Sequence, residues 1–271
     1  MKRSPLKTLS IAFLLCSFSL PTLSSAQNVG NKQQIISQAR QAYYNLRSEG
    51  LDGFQCSVTP NWEALLADQR KSDPKAADAA IETLSKLHFN AKLGADGKVK
   101  LTHNDIPGAS KEMMDALRQI YTGMEQMASG FFDTWSQFML NRPFPEVESE
   151  YQLQVQGPQY LLTYKDGAVT DVATTMSRDF AISNMKITTA EFDSAFQPKF
   201  TKTPKGFLFT AYDASYQSQK PEDATKLKVL IDYQQVEGLQ VVQKLNLSGS
   251  YGGTPFAAEL TFSGCKVTKK Q

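Results

Sequence analysis

The sequence predicts an α+β protein: a long curved antiparallel β-meander, an incomplete barrel, covered by several helices. Three observations lead there. Residues about 31–140 space their apolar side chains mostly in helical steps, and residues about 150–268 alternate apolar and polar in runs. Those runs are separated by short Gly, Pro and Asp turn signals, which force sequential antiparallel pairing. An open sheet of that length cannot leave an apolar face in water, so the earlier helices are expected to cover it. Residues 27–271 are read as one such domain, with a split near Arg142-Pro143 as the alternative.

The first 26 residues have the layout of a secretory signal peptide. Lys2, Arg3 and Lys7 make a basic start, Ile11 to Leu20 is mostly apolar but too short to span a bilayer, and Ser24-Ser25-Ala26 offers a cleavage site. The mature chain is expected to begin near Gln27, exported to a periplasm or beyond, with no stable membrane insertion. The chain holds 29 Lys+Arg against 27 Asp+Glu, and the leader carries three of the basic residues and none of the acidic ones. What remains is near neutral with intermixed signs, which is not the electrostatic footprint of a nucleic-acid binder.

Cys16 lies within the leader and follows Leu14-Leu15, where a lipid-modified cysteine needs a small residue. Cys56 and Cys265 are then the only cysteines of the mature chain, and in an oxidising compartment an even count of two argues for one disulfide. It would tie the first strand to the last and, by loop-closure entropy, contribute about 4–5 kcal/mol. Two separate buried thiols are the alternative.

In order along the chain, Asn31 precedes a helix through Ile35, Ile36, Ala39, Tyr43 and Leu46, stopped by Gly50 and Gly53. Phe54 to Val58 alternates as a strand and Pro60 ends it. Asn61 caps a second helix through Trp62, Leu65 and Leu66, and Pro74 opens a third through Ala77 to Leu87. A hairpin follows, Phe89 to Leu93 and Val99 to Thr102 around Gly94-Ala95-Asp96-Gly97. The strongest helical pattern runs from about Ser110 to Leu140, through Met113, Leu117, Ile120, Tyr121, Met124, Met127, Phe131, Trp135 and Phe138. Its Met-aromatic stripe reads either as a core-facing surface or as an adaptable apolar one. Pro143 and Pro145 end the helical half.

Strands then follow at Tyr151 to Val155, Tyr160 to Tyr164, Val169 to Thr175 and Phe180 to Ile187, where Asn184 marks a bulge or turn. After Pro198 and Pro204 come Gly206 to Tyr216, Leu227 to Tyr233, Leu239 to Ser248 and Phe256 to Val267.

The sequence carries little that points to chemistry. There is no Gly-x-Ser-x-Gly elbow, and neither standard phosphate-binding glycine spacing appears. His88 and His103 are the only imidazoles, one at a helix end and the other in a polar turn. Glu146, Glu148 and Glu150 read as a solvated acidic run, and Asp213, Asp232 and Glu259 fall on separate strands with nothing in their spacing to pair them. No catalytic residue, metal ligand or cofactor is assigned.

The order of parts is informative. Ile35 to Leu46, then Gly53-Phe54-Gln55-Cys56-Ser57-Val58, then late strands including Leu230 to Leu239, resembles the periplasmic outer-membrane lipoprotein-carrier superfamily over about two thirds of the mature chain. The departure is the mostly helical segment from Asn61 to Leu140, where that superfamily continues with strands. Nor does the pattern single out one of Arg47, Arg70, Arg118, Arg142 and Arg178 as that superfamily's cavity arginine. The resemblance implies an exported, non-enzymatic protein that shelters a lipid, a lipoprotein acyl chain or another apolar ligand between sheet and helices. The lining expected on that basis is Met113, Met124, Met127, Phe131 and Trp135 on the long helix, facing Tyr160, Leu162, Val229, Ile231 and Phe262 on strands. Two other readings stand beside it: a secreted structural or protein-interaction module with a filled core, and a secreted hydrolase without a recognisable motif.

Overall fold

The alternating runs build twelve strands: β1 (Leu51–Pro60), β2 (Phe89–Leu93), β3 (Val99–His103), β4 (Tyr151–Gln156), β5 (Gln159–Asp166), β6 (Thr170–Ser177), β7 (Ile182–Thr188), β8 (Phe192–Thr203), β9 (Gly206–Ser218), β10 (Thr225–Val236), β11 (Leu239–Tyr251) and β12 (Thr254–Lys269). The structure is a computed structural model and describes residues 29–218, 220 and 224–270. The leader expected at 1–26 lies outside the described residues. All twelve strands form one antiparallel sheet in the order β3-β2-β1-β12-β11-β10-β9-β8-β7-β6-β5-β4. It does not close: β3 and β4 are its two edges. From β4 to β12 each strand pairs with the next in chain order, as the short connections require, and the early β1–β3 unit adds to the free side of β12.

The helices are α1 (Val29–Gln41), α2 (Trp62–Leu65), α3 (Ala67–Ser72), α4 (Pro74–Leu84) and α5 (Lys111–Ser136), the last running into a π-helical segment, Gln137–Asn141. Their starts follow local chemistry. Asn61 Oδ1 accepts from Ala64 N at 3.1 Å. Asp73 Oδ1 does the same for Ala76 N at 3.1 Å with Pro74 in the first turn, and Ser110 Oγ for Met113 N at 3.2 Å.

Two expectations change. The first helix ends at Gln41 rather than carrying through Leu46, because Tyr43 leaves the helix to form a parallel bridge with Phe207. Tyr44 N donates to Phe207 O at 3.1 Å and Phe207 N to Ala42 O at 2.8 Å, so strand hydrogen bonds replace helical ones there. The second change is β8, a 12-residue strand containing Pro198. Proline lacks the N–H of a ladder, but β7 pairs only with Asp193 to Phe196. Pro198 lies beyond that pairing and needs no donor on its β7 side. The irregularity expected at Asn184 exists as a register shift between β6 and β7, with Thr175 opposite Asn184 and Met176 opposite Ile182.

Helix α5 packs on the apolar face of the sheet. Phe132 sits 5.9 Å from the rings of both Phe54 and Phe262, Trp135 lies 6.0 Å from Phe54, and Phe138 stacks on Phe209 at 4.4 Å. One polar chain runs through this contact. Trp135 Nε1 donates to Tyr233 Oη at 3.0 Å, and Tyr233 Oη donates to Phe209 O at 2.5 Å. Burial pushes the Tyr233 phenol far above its ordinary pKa, so it stays a neutral donor. Tyr233→Phe should therefore cost about 2 kcal/mol, since it strands the indole N–H and a carbonyl together. Urea unfolding reads this as a lower midpoint with an unchanged slope. A midpoint equal to wild type would show that the chain contributes nothing net.

The disulfide forms as expected: Cys56 and Cys265 join β1 to β12, with Cα atoms 4.2 Å apart and a sequence separation of 209. It sits where the β1–β12 register shifts, between Gln55 opposite Lys266 and Ser57 opposite Ser263. Among the described residues no helix is long and apolar enough to cross a membrane.

Candidate functional site

Register, more than sequence proximity, builds an apolar concavity. Tyr164 pairs with Val172, Val172 with Ile187, Ile187 with Ser194 and Ser194 with Tyr216, so one row crosses β5, β6, β7, β8 and β9. Because side chains two apart share a face, the neighbouring row is Leu162, Thr174, Met185 and Phe196, also in cross-strand register. Over these rows stand Thr134 near the C-terminal end of α5, Gln137 and Phe138 in the π-helical segment that follows, and Pro143 beyond it. Between the two layers lies a groove of about 250 Å³, with Asp166 and Phe192 also in its lining. Phe192 is 38% exposed, so an aromatic ring stands partly in water at the groove.

The groove's lining is mostly apolar and aromatic. Val172, Met185 and Ile187 line it with Phe138 and Phe196, whose rings stack at 5.4 Å, and the lining holds one carboxylate, no imidazole and no thiol. Burial, reinforced by the charge of Asp166, pushes the Tyr164 phenol up to about 12, so it offers a neutral hydroxyl. Two wider depressions lie elsewhere on the sheet. One of about 550 Å³ spans β4 to β7, where Lys165 and Asp171 already pair at 2.7 Å. Another of about 410 Å³ crosses β8 to β11, its Asp213 paired with Lys199 at 2.6 Å.

The ten residues expected to line a cavity lie elsewhere. Met124, Phe131, Trp135, Leu162, Val229, Ile231 and Phe262 are buried in one continuous apolar cluster, with Met127 and Tyr160 packed against it and Met113 exposed. None of the ten lines the groove. Met185 and Ile187 carried a weak signal, in that both sit on the run from Phe180 to Ile187, but only the cross-strand register places them beside Val172 and Phe196.

Several of the remaining candidates have structural partners. His103 stacks on Tyr121 at 3.4 Å, Glu146 pairs with Arg40 at 2.7 Å, and Glu259 pairs with Lys244 at 2.7 Å while accepting from Asn61 Nδ2 at 3.2 Å. Arg70 pairs with Asp78, Arg118 with Asp115, and Arg178 lies over the Tyr160 ring. Among the described residues, no three His, Cys, Asp or Glu side chains gather in a way that could hold a metal ion. Comparison of the chain with family models, with curated proteins and with solved structures finds no match.

Proposed function

We propose that this protein is an exported, non-enzymatic carrier that shelters an acyl chain or a similar apolar ligand, and that the groove between the end of α5 and β5–β9 receives it. One observation carries the reading: a groove of about 250 Å³, floored by register-matched apolar side chains and bordered by a partly exposed phenylalanine. Each methylene taken from water would contribute about 0.8 kcal/mol, which favours an extended hydrocarbon. The volume lies just under the usual range for small-molecule sites, about 300 Å³ and above, so it suits one chain or part of one. The unclosed sheet with α5 against its apolar face supports this reading, as does the resemblance to the lipoprotein carriers.

The second reading, an interaction module with a solid core, is favoured by Trp135, Leu162 and Val229, each at 0% exposure where a larger cavity was expected. Protein recovered from an exporting host separates the two by native mass spectrometry and titration with a lipophilic fluorescent dye. The carrier reading expects co-purified lipid mass or saturable dye uptake, weakened roughly tenfold by Ile187→Trp, which puts an indole into the groove at a partly open position and so spares the core. Absence of both lipid and dye binding, or equal binding by the variant, favours the module instead.

A further inference from the structure

The opposite end of α5 from its cap carries a second feature, independent of the groove. Where the π-helical segment ends, Arg142 adopts φ 67°, a left-handed conformation that arginine takes only under constraint from its surroundings. Its Nη2 donates to Ser48 Oγ at 2.9 Å, while its Nε is buried and has no partner. A buried guanidinium donor left unpaired is costly, so an arrangement that keeps one calls for an explanation.

Arg142 lines a depression of about 290 Å³ together with Arg47, Lys270, Asn45, Ser48 and Asn141. Three elements converge to make it. Arg47 and Ser48 follow α1, Arg142 follows the π segment, and Lys270 follows β12, where its N–H donates to Gly50 O at 2.9 Å. The polar groups are held in place: Asn45 Nδ2 donates to Leu140 O at 2.9 Å, and Asn45 Oδ1 accepts from Ser48 Oγ at 3.1 Å. Arg47 is anchored through Nη2 to Ala95 O at 2.5 Å. None of the three cations is in an ion pair among the described residues, and the adjacent acid, Glu49, is held by Lys205 at 2.5 Å. The lining contains no carboxylate.

We infer that this depression is an oxyanion site, taking a phosphate or sulfate group between Arg47, Arg142 and Lys270. Guanidinium forks match the oxygens of such groups, and the lining offers Arg47, Arg142 and Lys270 with no carboxylate among them. The site lies open to solvent, so its affinity falls as salt is raised.

Titration of the purified full-length protein with inorganic phosphate, then sulfate, at low ionic strength tests this by calorimetry. One saturable site per chain is expected, weakened roughly tenfold in Arg142→Gln and again in the double variant Arg47→Gln/Lys270→Gln. The double variant touches one partly exposed and one exposed side chain, Arg47 and Lys270, and keeps the test valid if Arg142→Gln fails to fold. No saturable binding of either anion, or undiminished binding in the folded double variant, overturns the inference. Vesicles of phosphatidylglycerol and of phosphatidylcholine identify the source. Sedimentation with the first alone that is lost in the double variant assigns a lipid headgroup, and binding of soluble anion only assigns a free oxyanion. Neither source depends on the carrier reading.

Discussion

Removing the disulfide, as Cys56→Ala/Cys265→Ala, is expected to lower stability by about 5 kcal/mol and the melting temperature by about 10–20 °C. The size follows from topology. The bond closes a loop spanning 209 positions, so it removes far more freedom from the unfolded chain than a bond within a hairpin would. The strands it joins are already neighbours, paired from Leu51 opposite Lys269 to Pro60 opposite Leu260. The folded state therefore loses little direct contact, and the effect acts through the unfolded ensemble. Alanine is the right replacement at Cys56, which is 1% exposed, since a serine hydroxyl there would need a partner. Thermal melts of the variant, and of wild type with and without reductant, check it. A shift of only a few degrees in both comparisons would mean that the long loop is already constrained without the bond.

The sequence made the strand order legible because the order is local: Gly157-Pro158, Lys165-Asp166-Gly167, Glu237-Gly238 and Gly252-Gly253 are short links, and each joins strands that pair. It made the disulfide legible by count alone. It hid β8, since Pro198 reads as a break until the sheet shows that β7 stops short of it. It hid the groove for a related reason. Tyr164, Val172, Ile187, Ser194 and Tyr216 are spread over five strands, and only their exact-row alignment makes a surface. The Met-aromatic stripe of α5 satisfies helical periodicity equally well as a plug and as a wall. At Phe131 and Trp135 it is buried plug, and at Phe138, beside Thr134 and Gln137, it becomes wall. The basic depression was invisible as a unit because Arg47, Arg142 and Lys270 are nearly a hundred residues or more apart in the chain.

The joint between α1 and the β8–β9 hairpin yields the second large effect. Gly206 opens β9 at φ +111°, where side chains other than glycine are strained. A Cβ there would stand 2.6 Å from Ala42 O and 2.8 Å from both Tyr43 C and Tyr44 N. All three are backbone atoms of the bridge that ends α1, so no side-chain rotation relieves the overlap. Gly206→Ala must either part the hairpin from residues 42–44 or unwind the turn, and it should cost about 3–4 kcal/mol. Gly238→Ala is the matched control: its φ is +84°, but nothing lies within 4 Å of the added Cβ, so it carries the backbone strain without the overlap. It should cost only about 1 kcal/mol. The difference between the two measures the joint itself. Hydrogen exchange locates it, because the Tyr44 and Phe207 N–H groups, which bond Phe207 O and Ala42 O, should lose protection in Gly206→Ala and keep it in Gly238→Ala. Equal costs for the two variants would mean that residues 42–44 yield freely. The bridge would then not be what holds α1 beside Tyr43, whose hydroxyl donates to Phe180 O at 2.8 Å and accepts from Ile182 N at 2.9 Å.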